Sequence, residues 1–220
     1  MPKGRPLLFQ PPVRTYVYVD GFNLYYGALK GTPYKWLDVG KLCRLLLARH
    51  RIARIKYFTA RVGGRPGDPG QPTRQQVYLR ALTTLPDLEI IYGHFLTSEV
   101  SMPLAGSPPH IRPTYVRVIK TEEKGSDVNL ATHFLWDGFQ GRYEAAVLVT
   151  NDSDLLAPVR VVRRELGRVV GLLNPHRKAS RVLSREASFV KQIRTSALRA
   201  SQFAPLLTDP HGVIRKPPAW

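Results

Sequence analysis

Three short clusters, Asp20-Gly21-Phe22-Asn23, Lys124-Gly125-Ser126-Asp127 and Asn151-Asp152-Ser153-Asp154, gather the carboxylate and amide oxygens that a hard divalent cation needs. The apolar run Tyr16 to Val19 precedes the first cluster, and Ala145 to Val149 precedes the third. If both runs are parallel strands, their acids emerge together at the carboxyl edge of a sheet, where open α/β folds bind ligands. Carboxylates crowded in one place raise one another's pKa unless a cation neutralises them. Mg²⁺ or Mn²⁺, both oxygen-seeking ions, is the expected partner.

Each cluster also has an ordinary structural role. Asp20 with Asn23 is the pattern of a turn that caps a helix, and Gly21 gives that turn room. Ser126 or Asp127 is placed to cap the apolar helix that follows, and Asp127 at that end is kept ionised by the helix dipole. Lys124 is suited to holding a phosphate or balancing the acids, whereas Glu122 and Glu123 read as exposed residues beside a turn. The third cluster is the most informative, because one cap needs one acid and Asp152 and Asp154 supply two.

The elements that would position these residues alternate along the chain. Strands are expected at 16–19, 55–59, 88–92, 145–149 and 168–173, with helices at 24–29, 38–50, 73–85, 128–139 and 155–166. Extended segments at 95–104 and 114–119 flank a proline-rich loop and read as a hairpin added to a mainly parallel sheet. Leu183, Ala187, Val190 and Ile193 at helical spacing predict that 181–200 covers the sheet as helix. The segment 63–70 reads as a flexible loop. The expected fold is α/β, a three-layer α/β/α sandwich. Residues 1–13 form a flexible basic arm, 14–204 the domain and 205–220 a loose proline-rich tail.

Composition narrows the partner. The 220 residues carry 33 Lys and Arg against 16 Asp and Glu, a net charge of +17. Arginine's planar fork suits phosphate oxygens, so nucleic acid is favoured over anionic lipid. Cys43 stands alone, which excludes an intrachain disulfide and argues for a reducing compartment. No stretch approaches a signal peptide or a membrane span, so the expectation is a soluble, cytoplasmic protein. A homo-oligomer is compatible with the sequence.

From Tyr16 to Gln202 these motifs, together with Lys120 to Leu130 and Gly171 to Pro175, resemble the NYN family of PIN-like ribonucleases, in particular its bacterial LabA-related branch. The resemblance implies a PIN-like Rossmannoid sheet and metal-dependent cleavage of RNA. It implies that Asp20 and Asp152 are metal ligands, that Asp127 and Asp154 complete the acidic pocket, and that Asn23 orients a ligand or the substrate. Since the motifs contain no His or Cys, the expected nucleophile is a water activated by one or two Mg²⁺ or Mn²⁺ ions, giving 5′-phosphate and 3′-hydroxyl ends.

Around this pocket, Arg177, Lys178 and Arg181 are placed to grip the backbone of RNA or, as an alternative, DNA. Tyr25, Tyr26, Tyr34 and Trp36 are candidates for stacking on bases of a single strand, with at least two of the four expected in the core. The six histidines show no ligand spacing, and His133 is expected to pack. Two competing readings are a non-catalytic nucleic-acid-binding module that recruits a partner, and a phosphatase with an aspartyl nucleophile. The second is disfavoured because Phe22 stands where its second aspartate belongs.

Overall fold

The computed structural model describes residues 12–64, 67–105 and 114–220. Most of the expected arm and the proline-rich loop at 106–113 lie outside the described residues. The strands that form the central sheet are β1 (Val13–Asp20), β2 (His50–Thr59), β3 (Leu88–Tyr92), β6 (Ala145–Val149), β7 (Val169–Asn174) and β8 (Phe189–Gln192). They assemble in the order β3-β2-β1-β6-β7-β8, and every pairing is parallel. The chain winds outward from β1 in one direction and from β6 in the other. The switch point therefore lies between β1 and β6.

Apolar side chains alternate across this sheet with the two-residue period of a strand. Val17, Val19, Val147, Val149 and Leu173 face a core closed by α2 (Val39–Leu46), α3 (Gln71–Leu82) and α7 (Thr195–Ala200). Tyr18, Ala146, Leu148, Val170 and Leu172 face a second core under α4 (Ser126–Phe139), α5 (Leu156–Arg160) and α6 (Arg181–Glu186). Two apolar faces need two covering layers, which gives the expected α/β/α sandwich. The second core also encloses a charge network. Lys56 Nζ donates to Asp137 Oδ2 at 2.6 Å, Tyr18 donates to the same oxygen at 2.8 Å, and Arg142 pairs with Oδ1 at 2.9 Å.

Local chemistry sets the helix starts. Asp38 caps α2 by accepting from the Lys41 N–H at 2.7 Å. Pro72 sits in the first turn of α3, where a missing N–H costs nothing. α4 is entered from Gly125 at φ +94°, a left-handed conformation that favours glycine. The short helix α1 (Gly21–Leu24) continues into a π-helical turn at Tyr25–Leu29.

Three expectations are corrected. The segment 181–200 is not one helix: its apolar residues come from α6, the edge strand β8 and α7. The expected hairpin forms, β4 (His94–Pro103) with β5 (Tyr115–Lys124), but among the described residues it pairs with itself and stands apart from the central sheet. The segment 205–220 is not loose: β9 (Leu206–Asp209) and β10 (Gly212–Arg215) form a second hairpin. Ile214 enters the core, Arg80 grips Asp209 through two bonds of 2.7 and 2.5 Å, and the Trp220 ring packs on Trp36 and Tyr78. Its prolines flank the strands, where no ladder donor is needed. Among the described residues no helix is long and apolar enough to cross a membrane.

Candidate functional site

Strand register brings the first and third acid clusters together. Val19 of β1 lies opposite Val149 of β6, so Asp20 and Thr150 leave the sheet side by side at the switch point. Thr150 Oγ1 donates to Asp20 Oδ2 at 3.1 Å and accepts from the Asp152 N–H at 3.1 Å. Asp20 Oδ1 takes the Asn23 N–H at 2.9 Å, capping α1, and Asp152 Oδ1 takes the Asp154 N–H at 3.0 Å, capping a 3₁₀ turn at Ser153–Leu155. Both aspartates fill their structural role and still present a carboxylate to the same cleft. Asp127 caps nothing, because Gly125 holds the cap position of α4 and Asp127 follows one residue inside the helix.

The cleft has a volume of about 370 Å³, and Asp20, Asn23, Glu123, Asp127, Asp152 and His176 are among its walls. Burial pushes the Asp20 carboxyl up to about 6, assisted by the charges of Asp127 and Asp152. Desolvation also raises Asp127, reinforced by Asp152, Glu123 and Asp154. Among the described residues no Lys, Arg or His forms an ion pair with any of these four aspartates. Among the described residues no ion pair compensates this negative charge.

A hard divalent cation fits this charge and this all-oxygen donor set. In the present side-chain positions, no three His, Cys, Asp or Glu groups among the described residues stand close enough to ligate one ion. Asp20, Asp127 and Asp152 are the residues whose carboxylates share the space an ion would enter. Asp154 is exposed and lies off the cleft wall, acting on Asp127 through its charge.

The remaining expected residues divide. Asn23 Oδ1 accepts from the Asn151 N–H at 2.9 Å, so its side chain ties α1 to the loop after β6. Asn151 in turn donates to the Lys178 carbonyl at 3.1 Å and accepts from the Ser180 N–H at 2.5 Å. This fixes the loop of Arg177 and Lys178 and the start of α6 with Arg181 beside the acids. All three cations are exposed and, among the described residues, none is ion-paired. Lys124 is different: it lies off the cleft wall, with Nζ 3.5 Å from Glu122. Of the four aromatics only Trp36 is fully buried, Tyr25 and Tyr34 are half-buried, and Tyr26 is 49% exposed, so fewer belong to the core than expected.

Two cleft residues carried little signal in the sequence. Glu123 Oε1 accepts from the Ser126 N–H at 3.1 Å, which turns its carboxylate back toward Asp127. His176 reaches the cleft from the loop after β7, its ring packed on Gly27 so tightly that an added Cβ there would lie 2.6 Å away. Its Nε2 is buried and, among the described residues, has no hydrogen-bond partner. His133 is packed, as expected, with Nδ1 3.1 Å from Lys56 Nζ and its ring against Phe58. Next to the acidic cleft lies a second hollow of about 320 Å³ with aromatic walls.

Comparison with known proteins agrees with this architecture. The chain is 32% identical to 6-hydroxy-3-succinoylpyridine 3-monooxygenase HspA of Pseudomonas putida (strain DSM 28022 / S16), over 95% of this chain and 76% of that protein. Its fold is similar to the crystal structure of VPA0982 of Vibrio parahaemolyticus RIMD 2210633, a protein of unknown function, with a TM-score of 0.56 at 14% identity, covering 90% of this chain and all of the other. The NYN domain model matches residues 14–194, which include all three acid clusters and all six strands of the parallel sheet except the first residue of β1, and the chain accordingly belongs to the NYN domain family.

Proposed function

We propose that this chain is a metal-dependent endoribonuclease that hydrolyses phosphodiester bonds of single-stranded RNA. The observation that carries the reading is the meeting of Asp20, Asp127 and Asp152 in one cleft at the switch point with, among the described residues, no cation paired to them. These three carboxylates would hold Mg²⁺ or Mn²⁺, which supplies water activation and neutralises charge at the scissile phosphate.

The chain's own residues do the rest. Thr150 and the Asn23 backbone hold Asp20 in one orientation, so its carboxylate is set before substrate arrives. The Asn23 side chain fixes the loop that carries Asp152. Arg177 and Lys178, which follow the cleft residue His176, and Arg181 at the start of α6 would meet the RNA backbone as it enters. Their attraction for phosphate also offsets the repulsion between a polyanion and an acidic site.

The test is cleavage of a labelled single-stranded RNA, with a matched DNA, by wild type and Asp152→Asn in EDTA, Mg²⁺ and Mn²⁺. Metal-dependent cutting of RNA that is lost in the folded variant is expected. Tight, salt-sensitive binding with no cutting in any metal refutes the nuclease and leaves a recruiting module.

A second reading is favoured by the aromatic hollow beside the acids and by the name of the relative: oxygenation of a hydroxypyridine. It predicts oxygen consumption when 6-hydroxy-3-succinoylpyridine and a two-electron reductant are added to the purified protein. An unchanged oxygen level excludes it.

A further inference from the structure

The hollow beside the acidic cleft is built from distant parts of the chain. Phe22, Tyr25 and Tyr26 come from α1 and the π-helical turn, Tyr57 from β2, Tyr78 from α3, and Trp220 from the C-terminus. Gly21 is required for this arrangement, since an added Cβ would lie 2.7 Å from the Phe58 carbonyl oxygen and 2.8 Å from the Tyr57 ring. Trp220 lines the hollow but not the acidic cleft and is held against Tyr78 and Trp36. The two spaces adjoin where Phe22, Tyr26, Val62 and Gln71 line both.

Size and chemistry select the occupant. A volume of about 320 Å³ stands at the lower end for small-ligand sites and accommodates one ring system, not a run of nucleotides. Six of the lining side chains are aromatic, and such rings attract a flat one. Several of the polar side chains beside them are already engaged. Arg74 is neutralised by Asp68 at 2.5 Å, and Gln75 is used by the Ala60 carbonyl and the Val62 N–H. Lys35 lines the hollow and, among the described residues, has no ion-pair partner. Gln71 stands at the shared mouth, with a side-chain amide able to donate and accept.

We infer that this hollow is a base pocket: it takes one unstacked nucleobase of the RNA strand adjacent to the phosphate bound at Asp20, Asp127 and Asp152. The inference rests on the nuclease reading and adds to it a structural reason for single-strand preference. A base can enter only if it is unpaired and turned out of its stack. Tyr26 provides the exposed ring at the mouth and Gln71 the amide that meets the base edge.

The experiment is ligand-observed NMR with the full chain in EDTA, using each of the four ribonucleoside 5′-monophosphates and ribose 5-phosphate as probes. Saturation should reach base protons, and ribose 5-phosphate should bind at least about tenfold more weakly, the scale of one base stack on an aromatic ring. Tyr26→Ala should weaken the nucleotide about tenfold and Tyr26→Phe should restore it, since the ring and not the hydroxyl does the stacking. Equal binding of ribose 5-phosphate and nucleotide, or an unaffected Tyr26→Ala, overturns the pocket. The readout needs neither metal nor turnover. Base binding with no cleavage therefore removes the nuclease and leaves the pocket, while cleavage without base binding does the reverse.

Discussion

The side-chain oxygen of Asn23 accepts a hydrogen bond of 2.9 Å from the backbone N–H of Asn151, joining α1 to the loop after β6. Because Asp20 caps α1 and Asp152 belongs to that loop, this bond helps to set their separation. Asn23→Ala should therefore reduce RNA cleavage by about tenfold to a hundredfold, on the scale seen for outer partners of metal ligands. Its cost in unfolding free energy should be about 1 kcal/mol, one hydrogen bond. Single-turnover cleavage and urea unfolding measure the two. Undiminished cleavage would show that the clamp has no part in the site.

Asp20 makes the fold's stability depend on pH in a direction opposite to that of a salt-bridged acid. Its pKa rises from 3.8 to about 6, so the folded chain binds this proton more tightly than the unfolded chain does. That contribution is full below about pH 4 and is lost as pH rises through 6. Asp20→Asn should then stabilise the metal-free protein at pH 8 by about 1–2 kcal/mol, less than the full two-unit shift because the amide fits Thr150 less well. The gain should vanish near pH 4. Urea unfolding of both proteins in EDTA at the two pH values decides it, and equal stability at pH 8 would mean that the carboxylate is better solvated than its surroundings imply.

Lys56 and Asp137 present the reverse situation, a buried pair with its charges matched. Lys56→Met leaves Asp137 with Tyr18 and Arg142 but without its shortest bond, and should cost about 3 kcal/mol. Lys56→Met with Asp137→Leu should cost less than the sum of the single changes, because the buried ammonium and carboxylate leave together and the remaining cation, Arg142, is half exposed. Chemical denaturation of the three variants provides the cycle, and simple additivity would contradict the coupling.

The residues show which parts of this architecture could be read in advance. β3 and β6 were legible to the residue because each is a compact run of strand-forming side chains between turn signals. β8 was not: Phe189 to Gln192 has one half-buried side chain and three exposed ones, so its four residues carry no period. The apolar spacing of 181–200 then imitated a single helix. Asp20, Asp127 and Asp152 were legible as acids that meet at one sheet edge, whereas Asp154, which exceeded what one cap requires, stands off the cleft wall. The aromatic hollow and the ordered C-terminus were not, since Trp220 meets Trp36 and Tyr78 across a span of sequence that no local pattern connects. Glu123 looked like an exposed acid because its bond to the Ser126 N–H depends on the tight turn at Gly125, and its approach to Gly93 depends on the pairing of β4 with β5.

Glu123 consequently permits a clean separation of structure from chemistry. Its Oε1 satisfies the Ser126 N–H at the start of α4, while its charge adds to the field that raises Asp127. Glu123→Gln keeps an oxygen for that N–H and removes only the charge, so its melting temperature should match wild type. If the charge helps to draw a cation into the cleft, Mn²⁺ affinity should fall about tenfold, the lower scale for changes around a metal site. Glu123→Ala should lose both affinity and about 1 kcal/mol of stability. Calorimetric titration with Mn²⁺ in the absence of RNA reads the first effect and thermal unfolding the second. Wild-type Mn²⁺ affinity in Glu123→Gln would confine Glu123 to capping and return the cation to Asp20, Asp127 and Asp152 alone.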